Sequence, residues 1–223
     1  MNRLLFLLTF GAIGAAILVA LGVWQVKRLD WKQSLLAEIE ARIDDAPVAL
    51  PARPDPETDK YLAVELTGTI LPGELQVLTS RKQQGPGFRI IAPFRTEDGR
   101  RILLDRGFVV EEDRASVREI GAATLTGNLV WPNETDSFTP PPDAATHTWF
   151  ARDVAAMAQA LETEPVMVVA SSETDPGIEP WPVGTEGIPN DHLQYAITWF
   201  SLALVWVAMT LYFLWRPRAR NTG

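Results

Sequence analysis

IPNDHLQYAITWFSLALVWVAMTLYFLWRPRAR, residues 188–220, carries the feature on which the fold of this chain turns. From Leu193 to Trp215 there are 23 residues without a charge. At 1.5 Å rise per residue that is about 35 Å of helix, enough to cross a hydrocarbon core. Backbone amides in lipid have only one another as partners, so the run is expected to be helical. Yet it opens on His192, Tyr195 and Trp199, in a chain with only two histidines.

A second uncharged run, Leu4 to Val23, has 20 residues, or about 30 Å of helix. It exceeds the roughly 7–15 apolar residues of a signal peptide, and no A-x-A site follows, so it reads as an uncleaved anchor. Trp24 beyond this run, and Tyr212 and Trp215 at the end of the other, suit the aromatic belts of a membrane interface. The expected division is a first transmembrane helix over 4–24, a helical extension over 25–45, an exported domain over 46–190 and a second transmembrane helix over 192–215. The extension follows from Leu29, Leu36 and Ile43, which recur every seven residues with Leu35 and Ile39 beside them and charges between.

Orientation comes from the basic flanks. Arg216, Arg218 and Arg220 follow the second run, whereas Glu179, Glu186 and Asp191 precede it. The positive-inside rule then places both termini in the cytoplasm and the middle outside, in a periplasm or its equivalent. Lys27, Arg28 and Lys32 argue the other way for the first run, but the contrast across the second is cleaner.

The stretch between the two runs holds all 28 Asp and Glu and 16 of the 20 Lys and Arg, a net charge of −12. Nucleic acid needs a basic face, so it is excluded as a partner. With no cysteine, disulfides, thiolate metal sites, cysteine nucleophiles and covalent haem attachment are excluded too.

Within the middle, DDAPVALPARPDPETDK reads as loop. YLAVELTGTI alternates Leu62, Val64, Leu66 and Ile70 with smaller or polar residues, as a half-buried strand does. LQVLTSRK, GFRIIAPFRT, RILLDRGFVV, ATLTGNLVW and PVMVVASS bring the expectation to about six strands, with a hairpin across EDGR bringing Phe94 near Ile102. PPPDAATHTWF reads as loop and RDVAAMAQALE as a short helix. The fold class expected is a membrane protein whose two transmembrane helices flank an exported, mainly antiparallel β domain. That domain is a sheet or partial barrel with one or two short helices.

Enzyme signatures are absent: there is no G-x-S-x-G, P-loop or G-x-G-x-x-G. QGPGFR reads as a turn, and Glu111–Asp113 as a solvated acidic loop end rather than a cation site. His147 reads as a surface or hydrogen-bonding residue. The four Met, at 1, 157, 167 and 209, are too scattered for copper delivery. His192 is different, because Tyr195 and Trp199 follow at i+3 and i+7 on its own face. It reads either as an interfacial polar anchor or as an imidazole placed to bind haem iron, with aromatic rings against the macrocycle.

NDHLQYAITWF (190–200) closely resembles the opening of the second span in the Surfeit-locus family of cytochrome c oxidase assembly factors. In order along the chain, GVWQVKRLDWKQSLL (22–36), GFRIIAPF (87–94), LLDRGFV (103–109), WFARDVAAMA (149–158), EPVMVVA (164–170) and PVG (182–184) agree with it. The resemblance spans nearly the whole chain. Asp105 and Phe108 stand where that family more often has Asn and Trp, and Asp191 where Asn or Glu is usual. EPVMVVA lacks an Asp that often precedes its last residue. His192, Gln194, Tyr195 and Trp199 are untouched by these departures.

The resemblance implies a bacterial, non-enzymatic factor of the inner membrane that binds haem a and assists its insertion into oxidase subunit I. His192 would ligate the haem iron, with Gln194, Tyr195 and Trp199 around the macrocycle. His147 is a second ligand only if its loop folds back to the membrane. Expected partners are cytochrome c oxidase subunit I, the haem a synthesis enzymes and membrane lipid. The alternative is a membrane-anchored structural chaperone for subunit I that binds no cofactor.

Overall fold

The computed structural model describes residues 3–143 and 145–216; Met1, Arg218 and Arg220 lie outside them. Its helices are α1 (Arg3–Ile43), α2 (Val154–Leu161) and α3 (His192–Trp215). Its strands are β1 (Val48–Ala49), β2 (Ala63–Ile70), β3 (Leu75–Arg81), β4 (Gly85–Thr96), β5 (Arg101–Val110), β6 (Gly121–Val130), β7 (Thr148–Trp149) and β8 (Met167–Ala170). These fall into two compact units. One joins the chain up to Glu38 with the chain from Thr185 onward, and the other is Ile39–Gly184.

In the first unit α1 and α3 are both long and apolar enough to cross a membrane. α1 runs unbroken for 41 residues because no proline interrupts it, and it ends shortly before Pro47, where a helix would lose an amide donor. Its outward-facing leucines and isoleucines are exposed in the absence of lipid, as are those of α3. Beyond the apolar run, Leu29, Leu35, Leu36, Ile39 and Ile43 are half-buried, while the charged residues between them are mostly exposed.

In the second unit β2 pairs with β6, β6 with β8, β8 with β5, β5 with β4, and β4 again with β2, which closes a five-stranded barrel. All these pairings are antiparallel except β5–β8. β3 forms a hairpin with β4, while β1 and β7 add short parallel edges to β2 and β3. Closure depends on β4, a 12-residue strand whose register against β5 shifts between Arg89 and Ile91. Such an irregularity bends a strand and increases its twist, so the far end of β4 reaches β2, with Gly68 opposite Thr96. Gly68 is needed at that contact, since a Cβ there would strike the Arg95 carbonyl oxygen.

Val64, Leu66, Ile70, Phe94, Ile102, Leu104, Leu125, Leu129 and Val168 form one buried cluster. A second cluster joins Leu75, Val77, Ile91, Leu103, Trp149 and Met167 to Val154 and Met157 of α2. β4 and β5 therefore contribute to a core on each face, and their sequences read as continuous apolar runs instead of alternating ones. The expected hairpin is present, with Phe94 opposite Ile102 and Gly99 at φ 87° in the turn. α2 is capped by Asp153, whose Oδ1 accepts from Ala156 N at 3.0 Å, and it ends at Glu162 in the left-handed region. One expectation is corrected. Thr148–Trp149, read as loop, pairs with Gln76–Val77 as β7, because the buried Trp149 ring joins the second core cluster. A two-residue strand leaves no period to detect.

Candidate functional site

The helix pair of the first unit is built on small residues. A Cβ at Gly11 would strike the Thr210 side chain, and one at Gly14 the Trp206 indole. One at Gly22 would lie 2.7 Å from the Phe200 ring. α1 and α3 therefore approach closely along this seam, as transmembrane pairs with small residues do. Ala196 and Ala203 complete it from α3 and are buried. Trp206 Nε1 donates to the Gly11 carbonyl at 3.1 Å, and the Phe10 ring centroid is 5.3 Å from that of Trp206.

At one end of the seam lies His192, the first residue of α3. Its Nδ1 is 2.8 Å from Gln25 Oε1 of α1. Gln25 is only 8% exposed and His192 is half-buried, so this polar pair is partly shielded between the helices. An amide oxygen can only accept, so Nδ1 is the donor in this contact, and in a neutral imidazole the lone pair then lies on Nε2. Nε2 has no hydrogen bond among the described residues.

Tyr195 and Trp199 share the His192 side of α3 by helical spacing, with Tyr195 55% exposed and Trp199 half-buried. Gln194 is two residues on, about 200° around the helix from His192, and it is exposed. The structure thus groups His192, Tyr195 and Trp199 on one face and sets Gln194 apart. His147 belongs to the other unit, in an exposed turn with φ 54°, where Asp143 and Thr148 close the loop by exchanging backbone hydrogen bonds of 2.8 and 3.1 Å.

The β domain holds a second concentration of polar chemistry. Asp105 on β5 is fully buried. It accepts from Arg89 Nε of β4 at 2.7 Å and from Arg152 Nη1 at 3.3 Å. Arg89 also donates to the Trp181 carbonyl at 2.8 Å, and its guanidinium lies 4.5 Å from the Trp181 ring centroid. Arg152 continues to Glu134 at 2.5 Å. Burial above all pushes the Arg89 guanidinium below its ordinary value, against the pull of Asp105. For Glu134 partial burial acts upward, but hydrogen bonds and charge from Arg152 outweigh it and hold the carboxyl below its ordinary value. The network ties β4, β5, the segment leading into α2 and the segment after β8 into one frame.

An open cavity of 370 Å³ lies beside β3, lined in part by Arg106, Arg114 and Arg118. Those guanidiniums are already engaged. Arg118 pairs with Glu74 at 2.8 Å, Arg114 donates to Gln76 Oε1 at 2.8 Å, and Arg106 donates to the Thr174 carbonyl at 2.9 Å. They hold a loop in place instead of presenting free charge.

Residues 12–204 match the family model described as the SURF1 family. The chain belongs to the SURF1 family. It is 32% identical to a SURF1-like protein of Monosiga brevicollis over 91% of this chain and 85% of that protein. It is 30% identical to Surfeit locus protein 1 of Homo sapiens over 91% and 74% of the two chains. A SURF1-like protein of Rickettsia felis is 27% identical over 91% and 92%. The matched residues include both partners of the His192–Gln25 pair and the buried network around Asp105.

The imidazole meets the requirement of a metal ligand. Metal-binding histidines generally donate the other ring N–H to a carbonyl or carboxylate, and Gln25 supplies that carbonyl. Tyr195 and Trp199 offer aromatic surface beside it, so the residues present fit a haem iron on the histidine side. Sequence reasoning singled out His192 but missed Gln25. The available signal was a lone uncharged amide just past the first apolar run, between Trp24 and Lys27. It also missed Arg89, Arg152 and Glu134, and treated Asp105 only as a departure from a pattern.

Proposed function

We propose that this chain is an assembly factor for the haem–copper cytochrome c oxidase, binding haem a and assisting its insertion into subunit I. The observation that carries the reading is the His192 imidazole, whose Nδ1 is engaged by Gln25 at 2.8 Å while Nε2 remains open at the end of a membrane-spanning helix. Haem a, when bound, supplies an iron that takes an axial nitrogen and an apolar macrocycle. His192 would donate Nε2, and Tyr195 and Trp199 would pack against the ring. Haem a synthesis enzymes and oxidase subunit I would be the partners on either side of this step.

The chain would act without catalysis, in the inner membrane of a bacterium, with both termini cytoplasmic and the β domain periplasmic. A second reading is a structural chaperone for subunit I that binds no cofactor. The same hydrogen bond favours it, because His192 also serves as a clamp between two helices.

The test is co-expression of the full chain with haem a synthesis enzymes, purification at matched yield, and measurement of haem a absorbance per protein. His192→Ala should abolish the Soret band, since an axial bond contributes several times more than a hydrogen bond worth about 1 kcal/mol. Trp199→Leu should reduce it less. A wild-type protein without haem a would leave the chaperone reading standing alone, whereas His192→Ala with an unchanged spectrum would remove His192 as the ligand.

A further inference from the structure

We propose that Gln25 is the positioning residue for His192. Its side-chain carbonyl holds the imidazole in the Nδ1–H tautomer and so turns Nε2, with its lone pair, toward an incoming iron. The inference rests on the haem reading above and names the group that prepares the ligand.

Three observations support it. The contact is 2.8 Å between Nδ1 and Oε1, within the range of a sound hydrogen bond. Gln25 is 8% exposed, so water does not compete for its oxygen. Gly22, one turn before Gln25 on the same face of α1, is the position where a Cβ would crowd Phe200 of α3. The glycine brings the helices close, and the next turn delivers the amide to the histidine.

The tautomer needs this help. A neutral imidazole in water prefers the proton on Nε2, the nitrogen a haem ligand must leave bare. Inside a helix pair, an oxygen that can only accept reverses the preference before any iron arrives. An amide suits the task because it accepts the hydrogen bond without bringing a charge between two helices in lipid. By analogy with other second partners of metal-bound histidines, losing it should weaken retention about 10- to 100-fold.

The experiment uses the full chain in lipid nanodiscs without haem, ¹⁵N-labelled at histidine. With only two histidines, His147→Ala identifies the His192 ring signals. The wild-type protein should show a protonated Nδ1 and a bare Nε2. Gln25→Met, nearly isosteric, should move the proton to Nε2, and Gln25→Glu should keep it on Nδ1. Titration with haem a should then give about 10- to 100-fold weaker binding for Gln25→Met and near-wild-type binding for Gln25→Glu, with an altered reduction potential.

A wild-type His192 protonated on Nε2 overturns the proposal. So does a Gln25→Met variant that binds haem a as the wild type does while His192→Ala does not. If His192→Ala itself binds haem a unchanged, the assignment of His192 as the ligand has failed and takes the proposal with it. The histidine variant thus separates the two failures.

Discussion

Removing the Asp105 carboxylate should damage the β domain far more than its single position suggests. The residue is fully buried and receives two guanidiniums, from Arg89 at 2.7 Å and Arg152 at 3.3 Å. In Asp105→Ala, Arg152 keeps Glu134 as a partner. Arg89 keeps only the Trp181 carbonyl and ring, with its side chain 10% exposed. A buried ion left without its counter-charge costs about 3–5 kcal/mol. For a unit of this size each kcal/mol lowers the melting temperature by about 2–4 °C, so a fall on the order of 10 °C is expected. Asp105→Asn keeps the shape and one acceptor and should cost less. Replacing both partners, as in Arg89→Met with Asp105→Leu, should be milder than Asp105→Ala alone, because no unpaired charge stays buried on β4. The assay is thermal unfolding of the full chain in nanodiscs, followed by circular dichroism where strand signal dominates. Asp105→Ala within about 1 kcal/mol of wild type would refute the reasoning, and so would a double variant worse than the single.

Three further outcomes follow from the same geometry. Gly14→Leu should separate α1 from α3, since even a Cβ meets the Trp206 indole; in this cysteine-free chain, oxidative cross-linking of a Gln25→Cys, His192→Cys pair should drop when Gly14→Leu is added. Glu134 sits below its ordinary value, so its stabilisation is present above the unfolded value, about pH 4.3, and is lost as pH falls through the folded one. Glu134→Gln should flatten that acid limb of the melting curve, by under about 1 kcal/mol because the carboxylate is 39% exposed; an unchanged limb would remove Glu134 from the account. Alkaline phosphatase fused near Gly121 should be active and the same enzyme fused after Arg220 inactive, and the reverse pattern would invert the orientation proposed.

How much of this could be read from residues alone depends on the range of the forces involved. The two spans are legible because a bilayer imposes a local rule, namely 20 or more residues without charge. The six longer strands are legible for a related reason, since apolar runs of β length are bounded by turn residues such as those at EDGR. Closure of the barrel is not, because it depends on a register shift between Arg89 and Ile91 and on a missing side chain at Gly68. Neither leaves a periodic trace. The buried charges of β4 and β5 are hidden for another reason. With both faces covered there is no alternation to violate, so Arg89 and Asp105 look like ordinary interruptions of an apolar run until their 2.7 Å contact is seen. The candidate site divides the same way. His192 stands out locally as a polar residue opening an apolar helix, but its partner is 167 residues away. Gln25 carries no charge to betray it, and what brings it to the histidine is the close approach at Gly22, a packing fact. A ligand can be suspected from one helix; which of its nitrogens is free is decided by the other.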